Sequence, residues 1–448
     1  MKIILISPRM TLRPMDSEFK RLMAPPISLL VLAALTPPEH SVEIIDDNVS
    51  PAVIYPDADL AGITCNIDSS ARCFEIARSY RSAGVPVIAG GIYPSACPLE
   101  ALKHVDSVCI GEAEDLWPEI LADAREKRLK KEYRSPVGGD MGKIPRPKWE
   151  SINISDYLYA NIVTTSRGCP HSCEFCYNSC SYTVKKFRRR PVQNVVEEIK
   201  KLPGRQVFFV DDNFTGSDEW VFEFLKAVEP MKLIWHAAVS ADIGERLELL
   251  DMMAETGCKS LYIGFESINQ GSITSVNKSQ NSVEKYDKTI SEIHGRGIMI
   301  NSSMVFGFDH DGPSVFDDTL EWLVRNRVET MTAHILTPYP GTKLFDRLER
   351  EGRITERDAS RYNTANVVFK PLLMTPDELL NGYLGIYERF YSLQNIYRRR
   401  PRLLSMWPSY FLFNLFYRKF GKITSMVGKA GLMNAFGRLA RGLSYGIG

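Results

Sequence analysis

Two runs of alternating strand and helix constrain this chain more than any other feature. Lys2–Ser7, Ser41–Ile45, Leu60–Thr64, Val87–Ala89 and Val105–Ile110 read as strands, with Ile27–Leu35, Ser69–Ala83 and Glu114–Arg125 as helices between them. Gly84 and Pro86 punctuate the chain before Val87. Such alternation favours a parallel, doubly wound sheet, because a parallel neighbour is reached only through a crossover. A second run begins near residue 160. Its strands are Ala160–Thr164, Gln206–Val210, Leu233–Val239, Ser260–Gly264, Met299–Phe306 and Thr332–Leu336. Its helices are Val192–Lys201, Glu219–Ala227, Glu245–Thr256, Ser282–Arg296 and Ser314–Arg325. Six strand–helix units predict a barrel or partial barrel.

The expected fold class is therefore α/β in 448 residues, a length suited to two or three domains. A Rossmann-like sheet spans 1–125, and a linker rich in charge, Pro and Gly spans 126–160. A barrel spans 161–371, and a helical, basic region spans 372–448. Ligands of doubly wound sheets sit at the carboxyl ends of the strands. The polar or Gly-rich stretches there are Thr64–Ser70, Gly90-Gly91-Ile92-Tyr93-Pro94-Ser95 and Gly111-Glu112-Ala113-Glu114.

The chemistry is concentrated in Thr164-Thr165-Ser166-Arg167-Gly168-Cys169-Pro170-His171-Ser172-Cys173-Glu174-Phe175-Cys176-Tyr177, directly after the first barrel strand. Cys169, Cys173 and Cys176, spaced C-x3-C-x2-C on one loop, can wrap a compact cluster, and soft thiolates suit iron–sulfur centres. Three protein ligands leave one iron of a 4Fe–4S cluster open to the amino and carboxylate groups of S-adenosylmethionine (SAM). A structural zinc site is the alternative, with Cys180 or His171 as fourth ligand, although zinc sites usually use two separated ligand pairs. Cys65, Cys73, Cys97, Cys109 and Cys258 read as core residues, and the thiol usage fits a reducing cytoplasm rather than a disulfide scaffold.

The motif resembles the radical SAM superfamily, and the resemblance continues along the chain. Phe208-Phe209-Val210-Asp211-Asp212-Asn213-Phe214, Val239-Ser240-Ala241, Ile263-Gly264-Phe265-Glu266-Ser267 and Pro338-Tyr339-Pro340-Gly341-Thr342 are similar to that family's strand-end segments, in order and at barrel spacing. It implies a partial (β/α)6 barrel, a 4Fe–4S cluster on the three cysteines, and SAM contacts from Phe175, Tyr177, Asp211, Asp212, Ser240 and Glu266. Read from the residues alone, Asp211 could cap a helix and Glu266 could pair with a lysine.

Residues 1–125 resemble the cobalamin-binding domain that precedes the barrel in one large radical SAM class. The matching pieces are Pro25–Leu35, Val42–Asp46, Gly90–Ser95 and Ile110–Glu114, with Ile144–Trp149 in the linker. The resemblance implies cobalamin contacts from Pro8, Thr64, Asn66, Ser69, Gly90, Gly91, Tyr93, Pro94, Gly111 and Glu112. The D-x-H-x-x-G motif of classical cobalamin domains is absent, and His40 and His104 have no such context.

The net charge of +1 is unevenly spread. Arg389–Gly448 holds eleven Lys or Arg and no acid, so the remainder carries −10. In this tail Arg398-Arg399-Arg400-Pro401-Arg402 precedes Trp407, Tyr410, Phe411, Phe413, Phe416 and Tyr417, then Arg418 and Lys419. Cations flanking aromatics suit a membrane interface or anionic lipid. A helical cap on the barrel with solvated arginines is the other reading. Nucleic acid is not expected, because the acidic remainder would repel phosphates. Met1-Lys2 runs straight into Ile3–Ile6, too short a core for a secretory signal, so the expectation is a cytoplasmic protein, membrane-associated if the tail docks.

The resemblance implies a cobalamin-dependent radical SAM methyltransferase. One SAM methylates Co(I), a second yields the 5′-deoxyadenosyl radical, and the methyl group ends on an unactivated carbon. The substrate, a small molecule, lipid or peptide, lies between the domains, and a flavodoxin or ferredoxin supplies electrons. The alternatives are a radical cyclase, oxidase or rearrangement enzyme related to the anaerobic magnesium-protoporphyrin ester cyclase, and a non-catalytic cobalamin or cluster sensor. No residue in the sequence identifies a general acid or base.

Overall fold

The computed structural model describes residues 1–135, 138–159, 161–180, 182 and 187–427. Ala160, where the first barrel strand was expected to start, and the end of the basic tail, 428–448, lie outside the described residues.

The first sheet contains β1 (Lys2–Ser7), β2 (Ser41–Asp46), β3 (Leu60–Thr64), β4 (Val87–Gly90), β5 (Ser107–Ile110) and β6 (Glu132–Arg134). All neighbours are parallel, in the order β2-β1-β3-β4-β5-β6. The chain reverses direction across the sheet between β1 and β3, so a ligand crevice opens above their carboxyl ends. β6 lies in the segment read as a linker. Only Tyr133 of its three residues is buried, so no hydrophobic alternation announces it. It forms because β5 offers a free edge, and because Tyr133 donates to Asp123 on the helix Trp117–Arg125 at 2.9 Å. β5 starts two residues later than expected, since Asp106 is held in the preceding turn by the amide of Val87 at 2.9 Å.

One glycine fixes how the chain leaves β4. Gly91 has φ of 107°, and a Cβ there would lie 2.8 Å from the carbonyl oxygen of Cys65. The chain after β4 thus packs backbone to backbone on the chain after β3. Cys65 N donates to Gly90 O at 2.7 Å, and Tyr93 N to Cys65 O at 3.1 Å.

The second sheet begins with β7 (Ile162–Val163). An antiparallel pair, β8 (Ser166–Arg167) and β9 (Arg188–Arg189), brackets the cysteine loop. Then follow β10 (Gln206–Phe209), β11 (Ile234–Val239), β12 (Cys258–Glu266), β13 (Met299–Phe306) and β14 (Thr330–Ile335). The order β14-β13-β12-β11-β10-β7 is sequential and parallel throughout, with both edges open. The strands alternate faces. Val207, Phe209, Trp235, Leu261, Ile263, Ile300, Met304 and Met331 are buried in the main core. The other face carries Phe208 beside His236, Tyr262 beside Asn301, and Ser303 beside Thr332. It mixes aromatic with polar side chains, a lining suited to a ligand.

Two segments distant in sequence cover that inner face. Arg13 reaches His334 of β14 at 3.3 Å, and Tyr383 donates to the Met15 sulfur at 3.1 Å. The helix Pro376–Phe390 opens on a capping box of Thr375 and Glu378. Its Tyr387, and Tyr391 just beyond, hydrogen-bond the backbone of Ala333 and Met331 on β14. The carboxy-terminal region is therefore a helical cap on the barrel. Arg399, expected among the solvated or surface-seeking cations, is 0% exposed. It donates to the carbonyls of Val328, Glu329 and Phe390 and lies 3.4 Å from the Phe390 ring centre. No helix among the described residues is long and apolar enough to cross a membrane.

Candidate active site

The cysteine loop is pinned before it reaches its first thiol. Asp211, just past β10, is fully buried and accepts from Thr165 N at 2.8 Å, Thr165 Oγ1 at 3.0 Å, Ser166 N at 2.5 Å and Ser166 Oγ at 2.8 Å. Four donors use the lone-pair capacity of a carboxylate. Asp211, expected at SAM, holds the loop in place.

Further on, the loop is tied from both sides. Glu174 N donates to Val276 O at 2.9 Å, Leu344 N to Glu174 O at 3.1 Å, and Asn277 to Ser172 Oγ at 3.1 Å. Cys173 is buried, and Gln280 Nε2 points at its sulfur at 3.5 Å. Cys169 and Cys176 are partly accessible. As free thiols they are held protonated: burial raises Cys169 and pushes Cys176 up to about 12. A bound metal centre reverses that preference, since it ligates thiolate.

The donor set fits a 4Fe–4S cluster. Cys173 lies near enough to Cys169 and Cys176 to raise the pKa of both. Three soft thiols on one short loop suit an iron–sulfur cluster. Cys180 is occupied elsewhere, hydrogen-bonded with Tyr182.

The other residues expected at SAM surround this loop. Tyr177 donates to Asp212 at 2.8 Å. Ser240, after β11, accepts from Asn213 at 3.3 Å and donates to Asp242. The Phe175 ring meets Phe308 edge-on at 6.3 Å. Glu266 sits at a bulge in β12 with φ of 63°, a left-handed conformation costly for a side chain. It is buried and pairs with Lys278 at 2.5 Å, while Ser303 donates to its other oxygen at 3.1 Å. The lysine pairing allowed by the sequence is thus present. Lys278 is drawn down by burial but raised on balance by Glu266 and by Cys173.

The residues expected at cobalamin gather at the carboxyl edge of the first sheet. Thr64 and Gly90 are register partners on β3 and β4. Ser69 Oγ accepts from Asn66 N at 3.2 Å. Ser95 donates to Gly91 O at 2.7 Å and accepts from Gly111 N at 3.0 Å, joining the loops after β4 and β5. Pro8 follows β1, and its carbonyl faces Asn48 at 3.5 Å. Tyr93 and Pro94 are buried in the short helix Ile92–Ala96. His40 contacts the amino terminus at 3.2 Å, and His104 stacks on Phe74 at 4.0 Å. Both precede their strands, at the opposite edge, so neither can ligate a group bound above Thr64 and Gly90.

Glu112, expected at cobalamin, makes ion pairs across the two halves of the protein. It pairs with Arg188 and, at 3.4 Å, with Arg167, while Glu114 pairs with Arg167. Burial works to raise the Glu114 carboxyl, and Arg167 outweighs it, holding the group below the usual range. These acids are spent on the β8–β9 pair that carries the cluster loop. The network joins the first sheet to the thiols.

Sequence reasoning missed Lys278, Gln280, Arg167, Arg188 and Tyr339. Tyr339 lies within electrostatic reach of both Asp68 and Cys176, one from each half of the protein. Tyr339 and Arg167 lie inside segments that carried a signal, Pro338–Thr342 and the cysteine motif, while Lys278 and Gln280 come from a loop and Arg188 from β9, none with a motif of its own.

Comparison with known proteins agrees with this arrangement. The radical SAM superfamily model matches residues 163–323, and a domain of unknown function (DUF4070) matches 342–441. The chain is 27% identical over 409 residues to bacteriochlorophyllide d C-12(1)-methyltransferase of Chlorobaculum tepidum, covering 88% of this chain and 89% of that protein. It is 29% identical over 387 residues to bacteriochlorophyllide d C-8(2)-methyltransferase of the same organism, covering 81% and 85%. The solved structure of the radical SAM methyltransferase TsrM from Kitasatospora setae, with cobalamin and a 4Fe–4S cluster bound, superposes with a TM-score of 0.68 at 14% identity, over 96% of this chain and 99% of that one. Residues 163–323 of this chain thus carry a radical SAM domain, on a parallel sheet with a three-cysteine loop after its first strand and a doubly wound sheet ahead of it.

Proposed function

We propose that the protein is a cobalamin-dependent radical SAM methyltransferase acting on an unactivated carbon. The observation that carries this reading is the Glu112/Glu114–Arg167/Arg188 network, which locks the ligand edge of the first sheet against the cluster loop. Two cofactor sites held rigidly toward one cavity are what a two-cofactor transfer requires. Full-length similarity to two methyltransferases supports the same reading.

When bound, the cofactors supply a 5′-deoxyadenosyl radical and a transferable methyl group. The chain's own residues do the rest. Cys169, Cys173 and Cys176 hold the cluster, and Asp211 fixes the loop that carries them. Phe175, Tyr177 with Asp212, Ser240 and Glu266 with Lys278 form the surroundings in which SAM is oriented. The loops after β1, β3, β4 and β5 receive cobalamin on backbone and small side chains, without a histidine ligand. Peripheral contact with anionic lipid is supported by exposed Leu403, Leu404, Phe420, Ile423 and Met426 interleaved with Arg400, Arg402, Lys419 and Lys422.

The test uses anaerobic, cluster-reconstituted full-length protein with hydroxocobalamin, SAM and a strong reductant. The expected result is protein-bound cobalamin whose cobalt shows no histidine nitrogen coupling by paramagnetic resonance. Both 5′-deoxyadenosine and S-adenosylhomocysteine should appear by mass spectrometry. Formation of 5′-deoxyadenosine with no cobalamin retained would overturn the methyl-transfer reading and leave a radical cyclase or oxidase.

A further inference from the structure

Residues 8–23 and the wide helical segment Leu412–Lys419 bring three cations to the inner face of the barrel. Arg13 is paired with Asp16, Nε to Oδ2 at 3.0 Å, and its far corner reaches His334 at 3.3 Å and Thr364 at 3.4 Å. Lys20 Nζ stands 3.8 Å from the same Asp16, so one carboxylate serves two cations. Asp68 is the other acid in reach, with its carboxyl raised by burial. His334 is held neutral, its pKa lowered to about 3 by burial and by Arg13.

Arg418 differs from both neighbours. Its only hydrogen bond among the described residues is a long one to Thr332 Oγ1, 3.4 Å, and its Nε is buried with no partner. The rings of Tyr417, Phe413 and Tyr391 stand 5.1, 5.5 and 5.7 Å from the guanidinium. They favour a cation but accept none of its in-plane N–H groups. An arginine away from bulk water with unused donors is costly unless an anion completes it. Arg418, Tyr262 and His334 lie deep in the molecule yet keep accessible surface, as residues lining an internal cavity do. Tyr339 continues that lining to Cys176.

We propose that Arg418, with Lys20 and Arg13 beside it, is an anion-reading subsite that takes a carboxylate or phosphate of the substrate. This rests on the methyltransferase reading and narrows it to an acidic substrate. The acid group is anchored at β14, and the rest of the molecule extends along Tyr262 and Tyr339 toward the cluster loop.

The test is binding, independent of turnover, on the cluster-reconstituted full chain. Isothermal titration with hexanoate, its neutral twin hexanamide, and inorganic phosphate reads the subsite directly. Hexanoate or phosphate is expected to bind at least about tenfold more tightly than hexanamide. The stronger of the two anions names the acid group. Arg418→Gln is expected to abolish the preference, and Lys20→Met, on a partly exposed side chain, to weaken it severalfold with iron content and circular dichroism unchanged. Equal binding of hexanoate and hexanamide with no phosphate binding, or an undiminished preference in Arg418→Gln, would overturn the proposal. Since SAM and cobalamin play no part in these titrations, failure here and failure of the methyltransferase assay are separate results.

Discussion

At the scale of single residues, a polar side chain stands directly beside the thiols. Gln280 Nε2 aims at Cys173 Sγ from 3.5 Å. A donor at a cluster sulfur stabilises the reduced, more negative state. Gln280→Leu should therefore lower the cluster potential by roughly 20–60 mV, the equivalent of a net hydrogen bond of about 0.5–1.5 kcal/mol for one electron. A spectroscopic redox titration checks it, and an unchanged potential would show that the contact has no electronic effect. Asp211 was readable as a cap or a SAM contact, and the fold made it the clamp of Thr165 and Ser166. No sequence pattern distinguishes those roles, because each needs only a carboxylate at a strand end.

At the scale of elements, the carboxy-terminal segment has two faces with different work. Arg399, Tyr410 and Asn414 point into the cap and are buried. Ile423 and Met426, on the helix Gly421–Val427, are 63% and 73% exposed. Aromatics among cations announced the segment, but periodicity could not separate the faces, since the wide helical turns of Leu412–Lys419 break the 3.6-residue repeat. The outer face should bind lipid: the full-length protein should sediment with phosphatidylserine vesicles and less with phosphatidylcholine. Ile423→Asp with Met426→Asp should reduce that binding about tenfold, the loss of roughly 1.4 kcal/mol of apolar and electrostatic contact. Retained sedimentation by the double variant would remove this face from consideration.

At the scale of the whole molecule, ion pairs and hydrogen bonds tie the two halves together. Arg188 bridges Glu112 and the carbonyl of Gly139, and Tyr157 donates to Asp46 of β2 at 3.0 Å. Glu112→Gln should loosen the first sheet from the cluster loop while leaving both cofactor cavities chemically intact. The expected outcome is unchanged cobalamin affinity, unchanged 5′-deoxyadenosine formation, and a several-fold fall in methylated product per radical formed, since transfer depends on alignment. Loss of cobalamin binding in this variant would instead make Glu112 a ligand contact, as the sequence suggested.

What the sequence determined by itself is the periodic part of the protein and the three-cysteine loop. Apolar residues at strand spacing, bounded by turn residues, located eleven of the strands, because a buried strand must place apolar side chains on the face that meets the core. The C-x3-C-x2-C spacing pointed to a cluster loop, because three thiols close in chain can reach one compact group without help from distant segments. The rest was decided by tertiary structure. β6 exists only because β5 leaves an edge. Lys278 meets Glu266 across a bulge, Arg167 and Arg188 meet Glu112 and Glu114 across two sheets, and Arg418 meets the amino-terminal arm across nearly the whole chain. Such contacts depend on where folding carries each loop. A charged residue's partner is set by distance in space, and local sequence holds no record of that distance.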